Sequence, residues 1–122
     1  MKPHGGILVV DDEFLIADLL SMMLEEMGLD VCASAASAEE AIAMVQRHEP
    51  GLVLMDVRLK GAKDGVDAAN EICAIRPVPI IFITGSREQE TVQRIEEGQR
   101  GPVLFKPVRF DQLRQEVLRA IA

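Results

Sequence analysis

The chain has 122 residues, enough for one domain of ordinary size and too few for two. Hydrophobic residues make up 48% and charged residues 27%, which is neither a disordered nor a membrane-spanning composition. The formal charge of −7 argues against a nucleic-acid partner, whose phosphates need a basic surface, yet an acidic chain can hold a divalent cation where carboxylates converge.

Met1 to Gly6 lacks the apolar run of a secretory signal. Ile7 to Val10 is then a continuous, β-branched run of strand length. A helical pattern rich in Leu and Met follows from Phe14 to Met27, with Asp18, Ser21 and Glu25 on one stripe and Gly28 as a stop. Met22, Met23 and Met27 are read as core filler. Val31 to Ala35 is less apolar and reads as a strand near a sheet edge.

Ser37-Ala38-Glu39-Glu40 is a capping box that opens a helix running to about His48, with Pro50 after it. Leu52 to Met55 is the next apolar run. Asp64 is a candidate N-cap for a helix from Gly65 to about Ile75, stopped by Pro77. Gly61, Lys63 and Gly65 are assigned to loop geometry and solubility. Ile80 to Ile83 is another buried strand. Ser86 to Gln89 reads as a second capping box, for a helix ending near Gly98, and the mixed charges from Arg87 to Arg100 as a solvated face or partner surface. Val103-Leu104-Phe105 is a short last strand, and Phe110, Leu113, Val117 and Ile121 recur at helical spacing.

Strand and helix thus alternate through five βα units. Continuous rather than alternating apolar runs suit strands buried on both faces of a parallel sheet, with right-handed crossovers and helices on both sides. Cys32 and Cys73 form no C-x-x-C pair, which excludes a zinc ribbon or thioredoxin motif, and each is read as a small buried hydrophobe in a reducing, cytoplasmic setting. His4 and His48 are read as surface residues, His48 favoured near a helix end by the dipole.

In such a fold the ligand site lies off the carboxyl ends of the strands. The residues there are Asp11-Asp12-Glu13, Asp56, Thr84-Gly85 and Lys106-Pro107. An acidic pair at a helix start is favoured by the dipole, but that does not account for a third acid, a hydroxyl and a lysine at the same rim. Three close carboxylates repel one another, and a hard divalent cation relieves that repulsion. Oxygen ligands with no His or Cys favour Mg²⁺ (or Mn²⁺) over zinc or copper. An Asp beside such a cation and a Lys can attack phosphorus to form an acyl phosphate.

The ordered set Val10-Asp11-Asp12-Glu13, Met55-Asp56, Thr84-Gly85 and Lys106-Pro107 resembles the receiver domain of bacterial response regulators, over essentially the whole chain. The resemblance implies an α/β, doubly wound (βα)5, flavodoxin-like sandwich with strand order 2-1-3-4-5. It implies that residues 1–122 are one receiver domain with no output domain. Asp56 then matches the phosphoacceptor, Asp12 the direct metal ligand, Asp11 the neighbouring acid, and Arg58 a ligand through its backbone carbonyl. Thr84 matches the switch hydroxyl and Lys106 the phosphate-binding lysine, with a cis Lys106-Pro107 bond. Arg58 and Ser86 match positions that tune acyl-phosphate lifetime.

The implied partners are a sensor histidine kinase or a histidine phosphotransfer protein, and a downstream protein on the face of helix 4, strand 5 and helix 5. Val103 stands where these domains usually carry Tyr or Phe, so coupling of Thr84 to an aromatic at that position is not expected; Phe82 and Phe105 are read as core. The stretch from Pro79 to Gly85 is similar to a subgroup of stand-alone receivers that also lack this aromatic. Two other readings stand beside this one. A small Mg²⁺-dependent phosphatase would place a second Asp two residues after its nucleophile, where this chain has Arg58. A pseudo-receiver would keep the fold as a binding module that never takes phosphate.

Overall fold

Five strands and five helices alternate along the chain: β1 (Ile7–Val10), α1 (Phe14–Glu26), β2 (Val31–Ala35), α2 (Ala38–His48), β3 (Leu52–Asp56), α3 (Gly65–Ile75), β4 (Ile80–Thr84), α4 (Gln89–Gly98), β5 (Val103–Phe105) and α5 (Phe110–Ile121). The computed structural model describes residues 5–85, 89–98 and 100–122. Every strand pair is parallel, in the order β2-β1-β3-β4-β5, the flavodoxin-like arrangement. Strand order reverses between β1 and β3, which opens a crevice beyond their carboxyl ends.

Period-two alternation divides the apolar strands between two cores. Leu8 and Val10, Val53 and Met55, and Ile80 and Phe82 face one cluster, closed by Ala38, Ala41 and Val45 of α2, Val66, Ala69 and Ile72 of α3, and Ile95 of α4. Ile7 and Val9, Leu52 and Leu54, and Ile81 and Ile83 face the other, closed by Ala17, Leu20 and Leu24 of α1 and Leu113 and Val117 of α5. β1, β3 and β4 are buried along their whole length, so each needs apolar side chains on both faces. β5 is instead a half-buried edge strand, since no strand and less helix cover its outer side.

Local signals fix the helix ends. Gly28 has φ +83°, and the N–H groups of Gly28 and Leu29 donate to the carbonyls of Glu25 and Leu24, a Schellman closure that returns buried Leu29 onto buried Leu24. Ser37 caps α2 by accepting from the Glu40 N–H at 3.1 Å. Glu40 reaches back one residue further than a capping box requires, accepting from the Ala36 N–H at 2.7 Å. Asp64 caps α3 in a full box with Asp67. The predicted box from Ser86 to Gln89 rests on residues 86–88, which, like His4, are not among those described. Met22 is no core filler: it is 65% exposed, because it lies on the flank of α1 turned away from the sheet, while Met23 and Met27 pack against the second cluster. Cys32 and Cys73 are half-buried at the margin of the first cluster.

Candidate functional site

The alternation that builds the second core also builds a polar rim. Asp11 continues the face of Ile7 and Val9, Asp56 that of Leu52 and Leu54, and Lys106 that of Leu104. Each is the first polar residue of its face at the carboxyl edge of the sheet. Register brings them level, since Val10 lies opposite Met55 and Thr84 opposite Phe105. One oxygen from each of Asp11, Asp12 and Asp56 lies within 4.8 Å of the others. The Lys106 ammonium is 3.1 Å from Asp11 Oδ2 and 3.5 Å from Asp56 Oδ1. The other Asp11 oxygen, Oδ1, accepts the Glu13 N–H at 2.8 Å, at the start of α1. Asp11 and Asp56 are buried, while Asp12 is part-exposed and Lys106 keeps 23% of its side chain in contact with solvent.

Electrostatics follow from this crowding. Burial, then the charge of Asp11, and with less weight that of Asp12, pushes the Asp56 carboxyl up to about 7, although Lys106 opposes the rise. Burial pulls Lys106 down, but Asp56 and Asp11 outweigh it and hold the ammonium above its ordinary value. One cation is therefore not enough for three carboxylates. The donor set is all oxygen with one part-open side, which fits a hard divalent cation held by Asp11, Asp12 and Asp56.

Thr84 is brought to the same edge but not into this group. It is fully buried and continues the first-cluster face of Ile80 and Phe82, on the side of the sheet away from Asp56. Its register partner is Phe105, on the same face. Phe82 is core, as its sequence setting implied, and Val103 packs beside it. Arg58 lies two residues beyond Asp56 with its side chain exposed. The Lys106-Pro107 bond is cis.

An apolar groove adjoining Lys106 went unseen in the sequence. It has a volume of about 340 Å³ and is lined by Ile16, Leu19, Leu20 and Met23 of α1 with Lys106, Pro107 and Val108. Phe14, Leu15 and Met22 are further exposed apolar residues of α1. The available signal was the excess of apolar residues in α1, more than one buried stripe requires.

A family model for the response regulator receiver domain matches residues 7–118. The chain belongs to this family. Among curated proteins, the receiver is 35% identical over 107 residues to the transcriptional regulatory protein PdtaR of Mycobacterium tuberculosis, covering 88% of this chain and 52% of that one. It therefore spans about half the length of that relative. Among solved structures, it is similar to the signal receiver domain of a modulated diguanylate cyclase from Desulfovibrio desulfuricans G20, with TM-score 0.89 and 39% identity over 95% of this chain and 92% of that one. The receiver domain of NtrX from Brucella abortus gives TM-score 0.85 and 35% identity over 94% and 97% of the two chains. Receivers are signalling modules, and among the described residues no helix is long and apolar enough to cross a membrane.

Proposed function

We propose that this receiver takes a phosphoryl group onto Asp56 from a phosphohistidine of a sensor kinase or phosphotransfer protein. The observation that carries this reading is the meeting of Asp11, Asp12 and Asp56 within 4.8 Å, with Lys106 Nζ 3.5 Å from Asp56. Asp11, Asp12 and Asp56 would hold Mg²⁺, with Arg58 adding its backbone carbonyl. A cation bound there neutralises the carboxylates and the charge on the phosphoryl oxygens.

The remaining work belongs to the chain. An Asp56 oxygen attacks phosphorus, an O–P bond forms, and the P–N bond to the donor imidazole breaks. The imidazole leaves with the bonding pair and takes up a proton. Lys106 shifts from Asp11 toward the new phosphoryl oxygens and offsets their charge. Thr84 crosses the rim toward the same group and draws the loop after β4 with it. The acyl phosphate thereby biases two states of the face formed by α4, β5 and α5, where a downstream protein docks. Exposed apolar residues of α1 beside Lys106 give the phosphodonor protein a surface next to Asp56.

Incubation with acetyl phosphate and Mg²⁺ followed by intact-mass measurement tests the reading. One added phosphoryl group is expected, and none in Asp56→Asn. A label that survives the substitution refutes Asp56. No label on the unaltered chain points to a binding module that keeps the fold alone.

A further inference from the structure

α4 is the most weakly attached helix of the fold. Ile95 is its one buried side chain among the described residues, whereas α2 buries three and α3 four. Beside Ile95, Arg94 reaches across to the start of α3. Its Nη1 lies 2.7 Å from Asp64 Oδ2, and its Nη2 lies 3.4 Å from Asp64 Oδ1 and 3.2 Å from Asp67 Oδ1. These are the two carboxylates of the α3 capping box, so one guanidinium binds both. Such a planar fork suits arginine and not lysine.

The start of α3 is in turn seated on the candidate site. The Gly65 N–H donates to the Val57 carbonyl at 2.7 Å. A Cβ on Gly65 would sit 2.1 Å from the Asp56 carbonyl oxygen. A continuous set of contacts thus runs from the Asp56 backbone through Gly65 to Asp64 and Asp67, and through Arg94 to α4.

We propose that the Arg94 fork on Asp64 and Asp67 is a latch that holds α4 in its unphosphorylated position. This rests on the phosphoacceptor reading of Asp56. The fork is closed in an arrangement in which Thr84 lies on the face away from Asp56 and Lys106 sits nearer Asp11 than Asp56. A phosphoryl group can move α4 only if the two states differ in contact energy, and the fork is a contact made in one of them. Releasing it by substitution then favours the switched state before any phosphoryl group arrives. By linkage, the phosphoryl-binding site gains affinity.

The test uses the full chain with Mg²⁺ and beryllium fluoride as the phosphoryl analogue, comparing the unaltered protein, Arg94→Ala and Arg94→Lys. Arg94→Ala is expected to bind the analogue about two- to five-fold more tightly, the range for a part-exposed ion pair, with Arg94→Lys between. Amide exchange over residues 89–98 is expected to quicken in analogue-free Arg94→Ala. A general loss of folding would weaken analogue binding, so the direction separates latch from damage. Equal or weaker binding by Arg94→Ala, with normal binding by the unaltered chain, overturns the latch alone. No binding by the unaltered chain overturns the phosphoacceptor reading, and the latch with it.

Discussion

Lys106 donates a 3.1 Å hydrogen bond to Asp11, although ninety-five residues separate them. The ammonium pairs with both buried carboxylates, and it sits nearer Asp11 than Asp56. Replacing it by methionine keeps much of the side-chain length and removes the charge. The Asp56 carboxyl should then rise further, because Lys106 is what opposes burial and Asp11. A carboxyl-carbon NMR titration of Lys106→Met should place Asp56 above about 7, by roughly one unit for a close ion pair. An unmoved titration would mean that the ammonium does not govern this carboxyl.

The same carboxyl makes stability depend on pH in an unusual direction. Its folded value of about 7 lies above the ordinary aspartate value of 3.8. The folded state therefore holds the proton longer than the unfolded state does. The stabilising contribution is complete below about 4 and is lost as pH rises through about 7. Once Asp56 is fully ionised, the loss is on the order of a few kcal/mol at most. In metal-free buffer, Asp56→Asn should melt higher than the unaltered chain at pH 8, with the gap closing toward pH 5. Mg²⁺ should stabilise the unaltered chain at pH 8 by mass action and Asp56→Asn much less. Urea melts across this range check both statements.

Two glycines of the rim should respond oppositely to alanine. A Cβ on Gly65 meets the Asp56 carbonyl oxygen at 2.1 Å and the Val57 Cα at 2.9 Å, and backbone cannot step aside as a side chain can. Gly65→Ala is expected to cost about 2–4 kcal/mol and to displace the strand end that carries Asp56. Among the described residues, Gly85 has nothing within 4 Å of its would-be Cβ. Gly85→Ala should stay within about 0.5 kcal/mol of the unaltered chain. Chemical denaturation of both variants checks the contrast.

The strands were legible in the sequence because each buried strand must be apolar on both faces, and such runs as Leu52 to Met55 have few other uses. The acids at their ends were legible for the same reason, since the first polar residue after a run marks the sheet edge. Helix ends read well where a cap is a local event, as at Ser37, Asp64 and Gly28. What escaped was tertiary. Arg94 reads as part of a solvated charged face until Asp64, thirty residues away, is placed beside it. Met22 reads as core because periodicity in α1 is blurred by apolar residues on two flanks. The position of Thr84 relative to Asp56 was legible as a shared edge, but the opposite faces of the two side chains depend on register.

That register makes Thr84 the basis of a last prediction. Asp56 lies opposite Ile83, so the two share the second-cluster face, and Thr84, one residue on, falls on the other. Attack by Asp56 does not need a hydroxyl that lies across the sheet. In the proposed mechanism transmission to α4 does, because reaching a phosphoryl group would carry Thr84 over the rim. Thr84→Val keeps the buried shape and removes the oxygen, at a cost of about 1 kcal/mol for a lost hydrogen bond. The variant should therefore still gain one phosphoryl group from acetyl phosphate in a mass measurement. The change in amide exchange over residues 89–98 that accompanies labelling of the unaltered chain should be absent. If Thr84→Val instead loses the label, the hydroxyl serves the transfer itself. If it keeps both responses, the signal to α4 travels through the α3 contacts alone.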